Sequence, residues 1–346
     1  TPLSAQLASL EMIRERLQDG TALYRVVGPD LRPDRFLEHD DRFDQLFTTA
    51  LLEGRPHVVH INHLIGFSPR IVHVARKSGA AVVLSLHDFY MACPRIHLKK
   101  TSGELCQGPD FGRECAASCF AQSSSAITAI WLLRAIYFTR ALELSQAVIA
   151  YSEYVASFFR KIRPAGKPIH VVQNAVPSEF SREQSDFPKP RQEELSIAYC
   201  GTVTQHKGPH IILDALRLAW LKSARVLLIG HAPERSYVKE LRNRAALMPT
   251  LDLTFYGRYE RHELRHLLWG VDCVVVPSLV PEAGPIVPRE ALACGITVIA
   301  SRIGALPEVI TEGENGYTFD PGNLGQLSAI FRRLAGDPAL LARLRT

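Results

Sequence analysis

The chain has 346 residues, a formal net charge of +5 and a hydrophobic fraction of 47%. This length is sufficient for two α/β domains, and the hydrophobic fraction is that of an ordinary globular protein. A positive charge this small does not indicate a nucleic-acid-binding protein, and no apolar run reaches the roughly 18 to 20 residues that a membrane-spanning helix requires.

The first half of the chain opens with a helical pattern and then alternates strands with helices. Residues 4–18, SAQLASLEMIRERLQ, have the apolar spacing of a helix. Short apolar and β-branched runs predict four strands, at residues 57–62, 81–88, 147–152 and 169–174. Helices are predicted between them, at residues 68–78 and about 126–145. This alternation is typical of a parallel sheet covered by helices.

Polar residues follow the first two of these strands. His87 and Asp88 end the second strand, and His63 and Gly66 follow the first. One interpretation is that they contact a substrate at the carboxyl edge of the sheet, with His63, Gly66 and Asp88 on the acceptor side. The other is that they only satisfy local polar groups at a strand end and a turn.

Four cysteines cluster in a loop-rich segment: Cys93, Cys106, Cys115 and Cys119. Structural zinc prefers four soft ligands, often with one closely spaced pair such as Cys115 and Cys119. The long interval from Cys93 to Cys106 matches no strong zinc pattern, and disulfides would need an oxidising compartment. A structural zinc site, disulfides and plain thiols therefore all remain open.

The predicted helix near residues 126–142, AITAIWLLRAIYFTRAL, is too short and too charged to span a membrane. Trp131, Phe138, Phe158 and Phe159, with the basic residues Arg160, Lys161 and Arg163, would suit peripheral contact with an anionic membrane surface. The alternative is that the aromatic side chains are core residues, as aromatics at helical spacing usually are.

The second half begins after a polar segment with two prolines at residues 184–194, the best linker candidate. It repeats the alternating scheme through SIAYCG, RVLLIG, DLTFYG, DCVVVPS and TVIAS. The predicted domains are residues 1–190 and residues 191–346.

The segment Pro277–Gly295, PSLVPEAGPIVPREALACG, carries two carboxylates eight positions apart, Glu282 and Glu290. They follow a buried strand and flank the start of a helix predicted from about Ile286 or Pro288 to Cys294. A helix N-terminus favours a bound anion, and carboxylates accept hydrogen bonds from sugar hydroxyls. The pattern suits a sugar nucleotide, although most such pairs are only surface charges.

Three motifs together resemble the retaining glycosyltransferases of family GT4, which have the GT-B fold. They are the Glu-x7-Glu segment followed by REALACGITVIASRIGALPEVITEGENGYTFDPGN, the stretch IAYCGTVTQHKG with Gly201, Lys207 and Gly208, and DLTFYG. The resemblance is specific over about residues 195–325 and looser over about 56–180. It implies two Rossmann-like domains with parallel sheets that face a central cleft. The first domain would bind the acceptor and the second would bind the donor. The start of the first domain is expected to be either truncated or divergent from the family.

The resemblance also implies residue roles. Lys207 and the amides of Ile286 and Val287 would stabilise the diphosphate, Glu282 would hold the sugar hydroxyls, and Glu290 the ribose. His87 would contact the donor sugar from the other domain. Glu282, Lys207 and His87 are thus the expected catalytic residues. The expected donor-binding set is Gly201, Thr202, Lys207, Gly208, Gly284, Ile286, Val287 and Glu290.

Two departures from the family pattern concern the diphosphate. Thr202 stands where the family usually has an arginine, so Lys207 would act alone or with another basic residue. Pro285 replaces a residue that could donate an N–H, which moves the expected donors to Ile286 and Val287.

The expected activity is retaining transfer of a sugar from a UDP- or GDP-sugar to a hydroxyl of a saccharide or lipid-linked acceptor, in polysaccharide or glycolipid assembly. The resemblance implies that catalysis requires no cofactor. The expected location of the protein is the cytoplasm, either free or bound peripherally at the cytoplasmic face of the membrane. The alternatives are another GT-B enzyme, such as a sugar-nucleotide epimerase or a phosphorylase, and a non-catalytic GT-B-like module.

Overall fold

The computed structural model describes residues 11–27, 41–120, 125–162, 166–180 and 194–344. Contacts between residues divide the chain into a first unit, Thr1–Val172, and a second unit, Gln173–Thr346. The predicted boundary after residue 190, and all but the last residue of the predicted linker, lie outside the described residues and stay predictions.

The first unit contains a hairpin, a parallel sheet and helices. The hairpin pairs β1 (Glu11–Arg16) with β2 (Ala22–Val27) in antiparallel register. The sheet has the order β3-β4-β5-β6, with every pair parallel: β3 (Val58–Ile61), β4 (Ala81–Leu86), β5 (Ala147–Ala150) and β6 (Ile169–Val171). The helices are α1 (Asp41–Gly54), α2 (Arg70–Lys77), α3 (Arg113–Ser118), α4 (Ser125–Leu144) and α5 (Glu153–Ile162).

The four predicted strands and two predicted helices of this half are confirmed, but the helix predicted over residues 4–18 is wrong where the structure describes it. Residues Glu11–Arg16 form β1, in which Met12 pairs with Val26 and Arg14 pairs with Tyr24. Hydrogen bonding to the second hairpin strand outweighs a local pattern that by itself is only a weak indicator of helix.

The aromatic side chains considered for membrane contact are largely core residues. Trp131 and Phe138 on α4 are buried, and so is Phe159 on α5. Phe158 packs edge-on against Phe89 and Phe159. Within the described part of the chain, no helix has both the length and the apolar character needed to cross a membrane.

The second unit is built on six parallel strands. They are β7 (Leu195–Cys200), β8 (Ala224–Ile229), β9 (Leu251–Gly257), β10 (Cys273–Val276), β11 (Thr297–Ser301) and β12 (Gly316–Phe319). The helices are α6 (Pro209–Ala219), α7 (Arg235–Ala246), α8 (Leu264–Leu267), α9 (Ile286–Ala293), α10 (Leu324–Gly336) and α11 (Pro338–Leu344). The predicted strand–loop–helix–strand arrangement around Glu282 is confirmed.

The central strands of this sheet, β7, β10 and β11, are buried on both faces. Along β10, Cys273 and Val275 join a core cluster that includes residues of α6 and α10, whereas Val274 joins a second cluster that includes Ala291 of α9. Two-sided burial explains why DCVVV reads as a continuous apolar run rather than an alternating one.

The strand order places a topological switch point between β7 and β10. The sheet runs β12-β11-β10-β7-β8-β9, so the chain proceeds outward from β7 through β8 to β9 and then returns to β10 on the other side of β7. At such a point the loops that follow the two central strands diverge and leave a crevice at the carboxyl edge of the sheet. The loops after β7 and β10 carry the predicted donor residues.

Candidate functional site

An ion pair between Lys207 and Glu282 joins the two loops at the switch point. Lys207 Nζ donates to both carboxylate oxygens of Glu282, at 2.7 and 2.9 Å. Ser278 Oγ donates to Glu282 Oε1. Both charged side chains are partly exposed, so the pair is fixed in geometry but open to a ligand. The structure thus brings together two residues that lie 75 positions apart in the sequence.

The backbones of the two loops also approach closely. Leu279 N donates to His206 O at 2.9 Å. Gly208 has a φ of 76°, and a Cβ added there would lie 2.2 Å from Pro277 O. Only glycine tolerates both conditions, which gives the predicted Gly208 a steric role next to Lys207.

The backbone of Gly304 packs directly against the backbone of Glu282. Ala305 N donates to Glu282 O at 2.8 Å. Gly304 has a φ of 63°, and a Cβ there would lie 2.4 Å from Glu282 N. The turn after β11 therefore fixes the backbone position of Glu282.

The loop after β7 contains Gly201 and Thr202. A Cβ on Gly230 would lie 1.9 Å from Gly201 O, so the ends of β7 and β8 are in backbone contact. Tyr199 Oη donates to Thr202 O at 2.7 Å, and the Thr202 side chain is exposed. Thr202, at the position where the family pattern has arginine, is thus a neutral residue whose backbone carbonyl is fixed by Tyr199.

The first turn of α9 offers backbone donors. Its N-cap is Pro285, and no side chain caps the helix. No side-chain cap therefore competes with an anion for the N–H groups of Ile286 and Val287, whose role as donors stays a prediction. Asn174 Nδ2 donates to Gly284 O at 3.5 Å, which ties the preceding turn to the start of the second unit.

Glu290 lies inside the second unit and pairs with an arginine that the sequence did not reveal. The residue is only 3% exposed. Arg261 Nε donates to Glu290 Oε1 at 2.7 Å, and the Arg261 guanidinium lies over the ring of buried Phe180, 5.7 Å from its centroid. Glu290 is thus a fixed internal group, not a solvated surface acid.

The charges of Glu282 and Glu290 influence different residues at the end of β7. Tyr199 and Cys200 are consecutive and join different core clusters. Burial, and then the charge of Glu282, raise the pKa of Tyr199 well above its usual value. Burial, and then the charge of Glu290, raise the pKa of Cys200. Glu282 thus lies close enough to influence Tyr199, and Glu290 close enough to influence Cys200.

In the first unit, His87 follows β4 within a hydrogen-bonded group. His87 Nε2 contacts Asn62 Oδ1 at 3.3 Å and Tyr151 Oη at 3.2 Å. Tyr151 Oη also donates to Ser85 Oγ at 3.4 Å. Burial is the main influence that lowers the pKa of His87, followed by the charge of His63. A neutral ring with its proton on Nε2 leaves Nδ1 as a hydrogen-bond acceptor.

His63, Gly66 and Asp88 hold the neighbouring turns. His63 Nδ1 accepts from Ile65 N at 2.9 Å, and His63 Nε2 contacts Asp88 Oδ2 at 3.0 Å. Asp88 Oδ1 accepts from Tyr90 N at 2.7 Å. Gly66 has a φ of 77° in this turn. Both nitrogens of His63 and both oxygens of Asp88 are engaged, which favours the local structural interpretation of these residues.

The four clustered cysteines line one small cavity but do not form a metal site in this structure. Cys93, Cys106, Cys115 and Cys119 all contribute to the cavity wall. Burial raises the pKa of Cys93 and Cys119, and raises that of Cys115 to about 12. No group of three or more His, Cys, Asp or Glu side chains among the described residues is placed to hold a metal ion. The zinc hypothesis is therefore not supported, and none of the four cysteines forms a disulfide.

Two family models match consecutive halves of the chain. The model described as Glycosyltransferase Family 4 matches residues 11–180, and the one described as Glycosyl transferases group 1 matches residues 180–346.

Curated relatives match about half of the chain. Alpha-maltose-1-phosphate synthase of Mycolicibacterium smegmatis is 30% identical over 196 residues, which are 51% of this chain and 49% of that protein. D-inositol 3-phosphate glycosyltransferase of the same species is 30% identical over 173 residues, which are 49% of this chain and 39% of that protein. The match thus spans about half the length of these relatives or less.

Solved structures match over most of the chain. Anabaena Alr3699/HepE in complex with UDP has a TM-score of 0.63 at 21% identity, over 87% of this chain and 75% of that one. Sucrose-phosphate synthase from Thermosynechococcus elongatus has a TM-score of 0.70 at 19% identity, over 96% and 78%. At this identity the likeness shows a shared fold.

Proposed function

From the premise that this chain belongs to the GT4 glycosyltransferases, whose two family models together match residues 11–346, we propose that it transfers a sugar from a nucleoside-diphosphate sugar to an acceptor hydroxyl. The GT-B fold class expected from the sequence is confirmed: two α/β units, each with a parallel sheet. The observation that carries the proposal is the Lys207–Glu282 pair at the switch point, beside the uncapped start of α9.

The donor diphosphate is proposed to bind between Lys207 and the first turn of α9. Lys207 has three N–H donors, so Nζ can bind phosphate oxygens while it keeps a bond to Glu282. The N–H groups of Ile286 and Val287 add neutral donors and the favourable end of the helix dipole. Thr202 supplies no charge, which makes Lys207 the principal cation of the proposed site.

Glu282 is proposed to bind the donor sugar. Its carboxylate is held by Ser278 and by the Gly304 turn, so its oxygens are fixed acceptors for sugar hydroxyls. Glu290, which is buried and bonded to Arg261, is proposed to bind the ribose. UDP in the Anabaena complex, and the UDP-glucose complex of the same protein, support a nucleotide-sugar donor for this fold.

In the proposed reaction the bond from the sugar anomeric carbon to the diphosphate oxygen breaks, and the diphosphate leaves with the electron pair. The acceptor oxygen bonds to the same face of that carbon, and its proton passes to the departing phosphate oxygen. Lys207 and the α9 amides stabilise the negative charge that develops on the leaving group. The products are a glycoside with retained configuration and a nucleoside diphosphate.

A saccharide acceptor is proposed from the relatives' names, and a lipid-linked saccharide is the finer alternative. His87 is proposed to accept a hydrogen bond from a substrate hydroxyl through Nδ1. A saccharide acceptor would place the protein in polysaccharide assembly, and a lipid-linked saccharide acceptor would place it in glycolipid assembly.

Nucleotide release from a panel of UDP- and GDP-sugars, with simple saccharide acceptors, tests the reaction. The expected result is acceptor-dependent release of one nucleoside diphosphate, with the product anomer matching the donor by NMR. Conversion of the donor to an isomeric sugar without acceptor would instead identify an epimerase. A requirement for inorganic phosphate would identify a phosphorylase.

The lowered pKa of His87 predicts the acid side of the pH–rate profile. In the folded protein the ring stays neutral until the pH falls below the ordinary histidine value of 6.5, and protonation then removes the Nδ1 acceptor. We expect kcat/KM not to depend on His87 ionisation above pH 6.5 and to fall at lower pH. In His87→Gln this dependence should vanish, and an unchanged acid limb would exclude the role.

A further inference from the structure

We infer that Arg261 is a specificity-determining residue that makes Glu290 a reader of the donor ribose, selecting ribonucleotides over 2′-deoxyribonucleotides. This rests on the proposed function, because it assumes that a nucleoside diphosphate binds the second unit. Arg261 is not part of the three motifs that were quoted for the resemblance, although it lies within the span 195–325.

The first observation is that the Glu290 carboxylate is buried and only half satisfied. Its side chain is 4% exposed, and Oε1 accepts from Arg261 Nε at 2.7 Å. Within the described ranges, no donor contacts Oε2. Oε2 is therefore able to accept a hydrogen bond from a ligand hydroxyl while Oε1 stays bound to Arg261.

The second observation is that Arg261 has donors to spare. The side chain is 51% exposed, and only Nε is engaged with a partner among the described residues. A guanidinium carries five N–H donors in a planar fork, so the four on Nη1 and Nη2 make no hydrogen bond with a described residue. Carboxylate acceptor and guanidinium donors side by side match the two neighbouring hydroxyls of a ribose.

The third observation is that contacts fix both the backbone and the guanidinium of Arg261. Its backbone begins a short turn that is closed by reciprocal hydrogen bonds between Glu260 and Glu263. Its guanidinium rests on the ring of Phe180. A fixed arginine orients the Glu290 carboxylate at little entropic cost on binding, which is the condition for discriminating one hydroxyl.

The test is isothermal titration of UDP, dUDP, GDP and dGDP into the full chain and into Arg261→Ala and Arg261→Lys. For the base that binds, the wild-type chain should prefer the ribonucleotide by about tenfold, as the loss of one buried hydrogen bond to a charged group implies. In Arg261→Ala this ratio should fall towards one and the ribonucleotide Kd should rise by about tenfold. The Arg261→Lys variant keeps the positive charge but lacks the planar fork of donors. It should therefore retain only part of the wild-type preference for the ribonucleotide.

Arg302→Ala is the matched control. Arg302 is also 51% exposed and also makes a 2.7 Å ion pair, with Asp320, but that pair does not involve Glu290. Its removal should leave both Kd values unchanged. A purely structural role for Arg261 would lower the melting temperature without changing the ribo-to-deoxy ratio.

The outcomes separate this inference from the proposed function. Normal ribonucleotide binding with an unchanged ratio in Arg261→Ala would overturn the role of Arg261 and leave the donor site standing. Failure of the wild-type chain to bind any nucleoside diphosphate would overturn both.

Discussion

Replacing Lys207 with methionine is expected to lower kcat/KM for sugar transfer by about 10²- to 10³-fold, the usual effect of removing one charged or dipolar group that stabilises developing charge. Lys207 Nζ lies within 3 Å of both Glu282 oxygens, at the point where the diphosphate is proposed to leave. Because Thr202 stands where relatives of this type have arginine, no second cation from that position compensates.

Steady-state kinetics and circular dichroism on the same preparations check this expectation. Methionine keeps the length of the lysine stem, so the fold should survive. Lys222→Met is a suitable control, because Lys222 is exposed and precedes β8, at the opposite edge of the sheet. Equal kcat/KM values in Lys207→Met and the wild-type chain would remove Lys207 from the mechanism.

Gly304→Ala is expected to destabilise the chain by roughly 2–4 kcal/mol and to weaken donor binding at the same time. An alanine at a φ of 63° costs about 1 kcal/mol by itself. Its Cβ would also lie 2.4 Å from Glu282 N and 2.6 Å from Glu282 O, so backbone must shift. The bond from Ala305 N to Glu282 O, worth about 1 kcal/mol, is then lost.

Urea unfolding measures this effect, with Gly313→Ala as the matched control. Gly313 has a φ of 77°, but nothing lies within 4 Å of a Cβ added there. The control should therefore lose only the roughly 1 kcal/mol of backbone strain. If both variants lost the same stability and bound the donor equally well, Gly304 would have no part in positioning Glu282.

The parallel sheets and the donor loops could be predicted because their signals are local. Buried parallel strands leave continuous apolar runs, and the carboxyl edge of such a sheet collects the polar residues that follow each strand. Glu282, Lys207 and Gly208 lie directly after such strands. The roles of all three were implied by the resemblance to family GT4, and the structure brings the three together.

The residues that support the site could not be predicted, because their contacts are long-range. Arg261 meets Glu290 across 29 positions, and Gly304 meets Glu282 through backbone packing that leaves no residue pattern. Gly304 was visible only as a glycine after a strand. A signal for Arg261 did exist: Glu260 and Glu263 form a capping box, which fixes the residue between them at a turn.

The first unit shows where local patterns mislead. Part of the helical spacing predicted over residues 4–18 is a strand, Glu11–Arg16, because hairpin pairing decides the structure there. His63 and Asp88 were expected on the acceptor side or in a local structural role, and in the structure each ring nitrogen and each carboxylate oxygen has a local partner, which favours the structural role. The cysteines share a cavity, but proximity alone does not make a metal site.

A thermal-shift panel of UDP, GDP, ADP, TDP and CMP, each repeated on Lys207→Ala, tests the proposed donor site most directly. A ligand at about a hundred times its Kd adds roughly 2.7 kcal/mol of stability. The prediction is a clear stabilisation by one diphosphate, absent in the variant, which would also identify the base. Stabilisation by none of the nucleotides, or an equal shift in the variant, would contradict a nucleotide-sugar site built on Lys207.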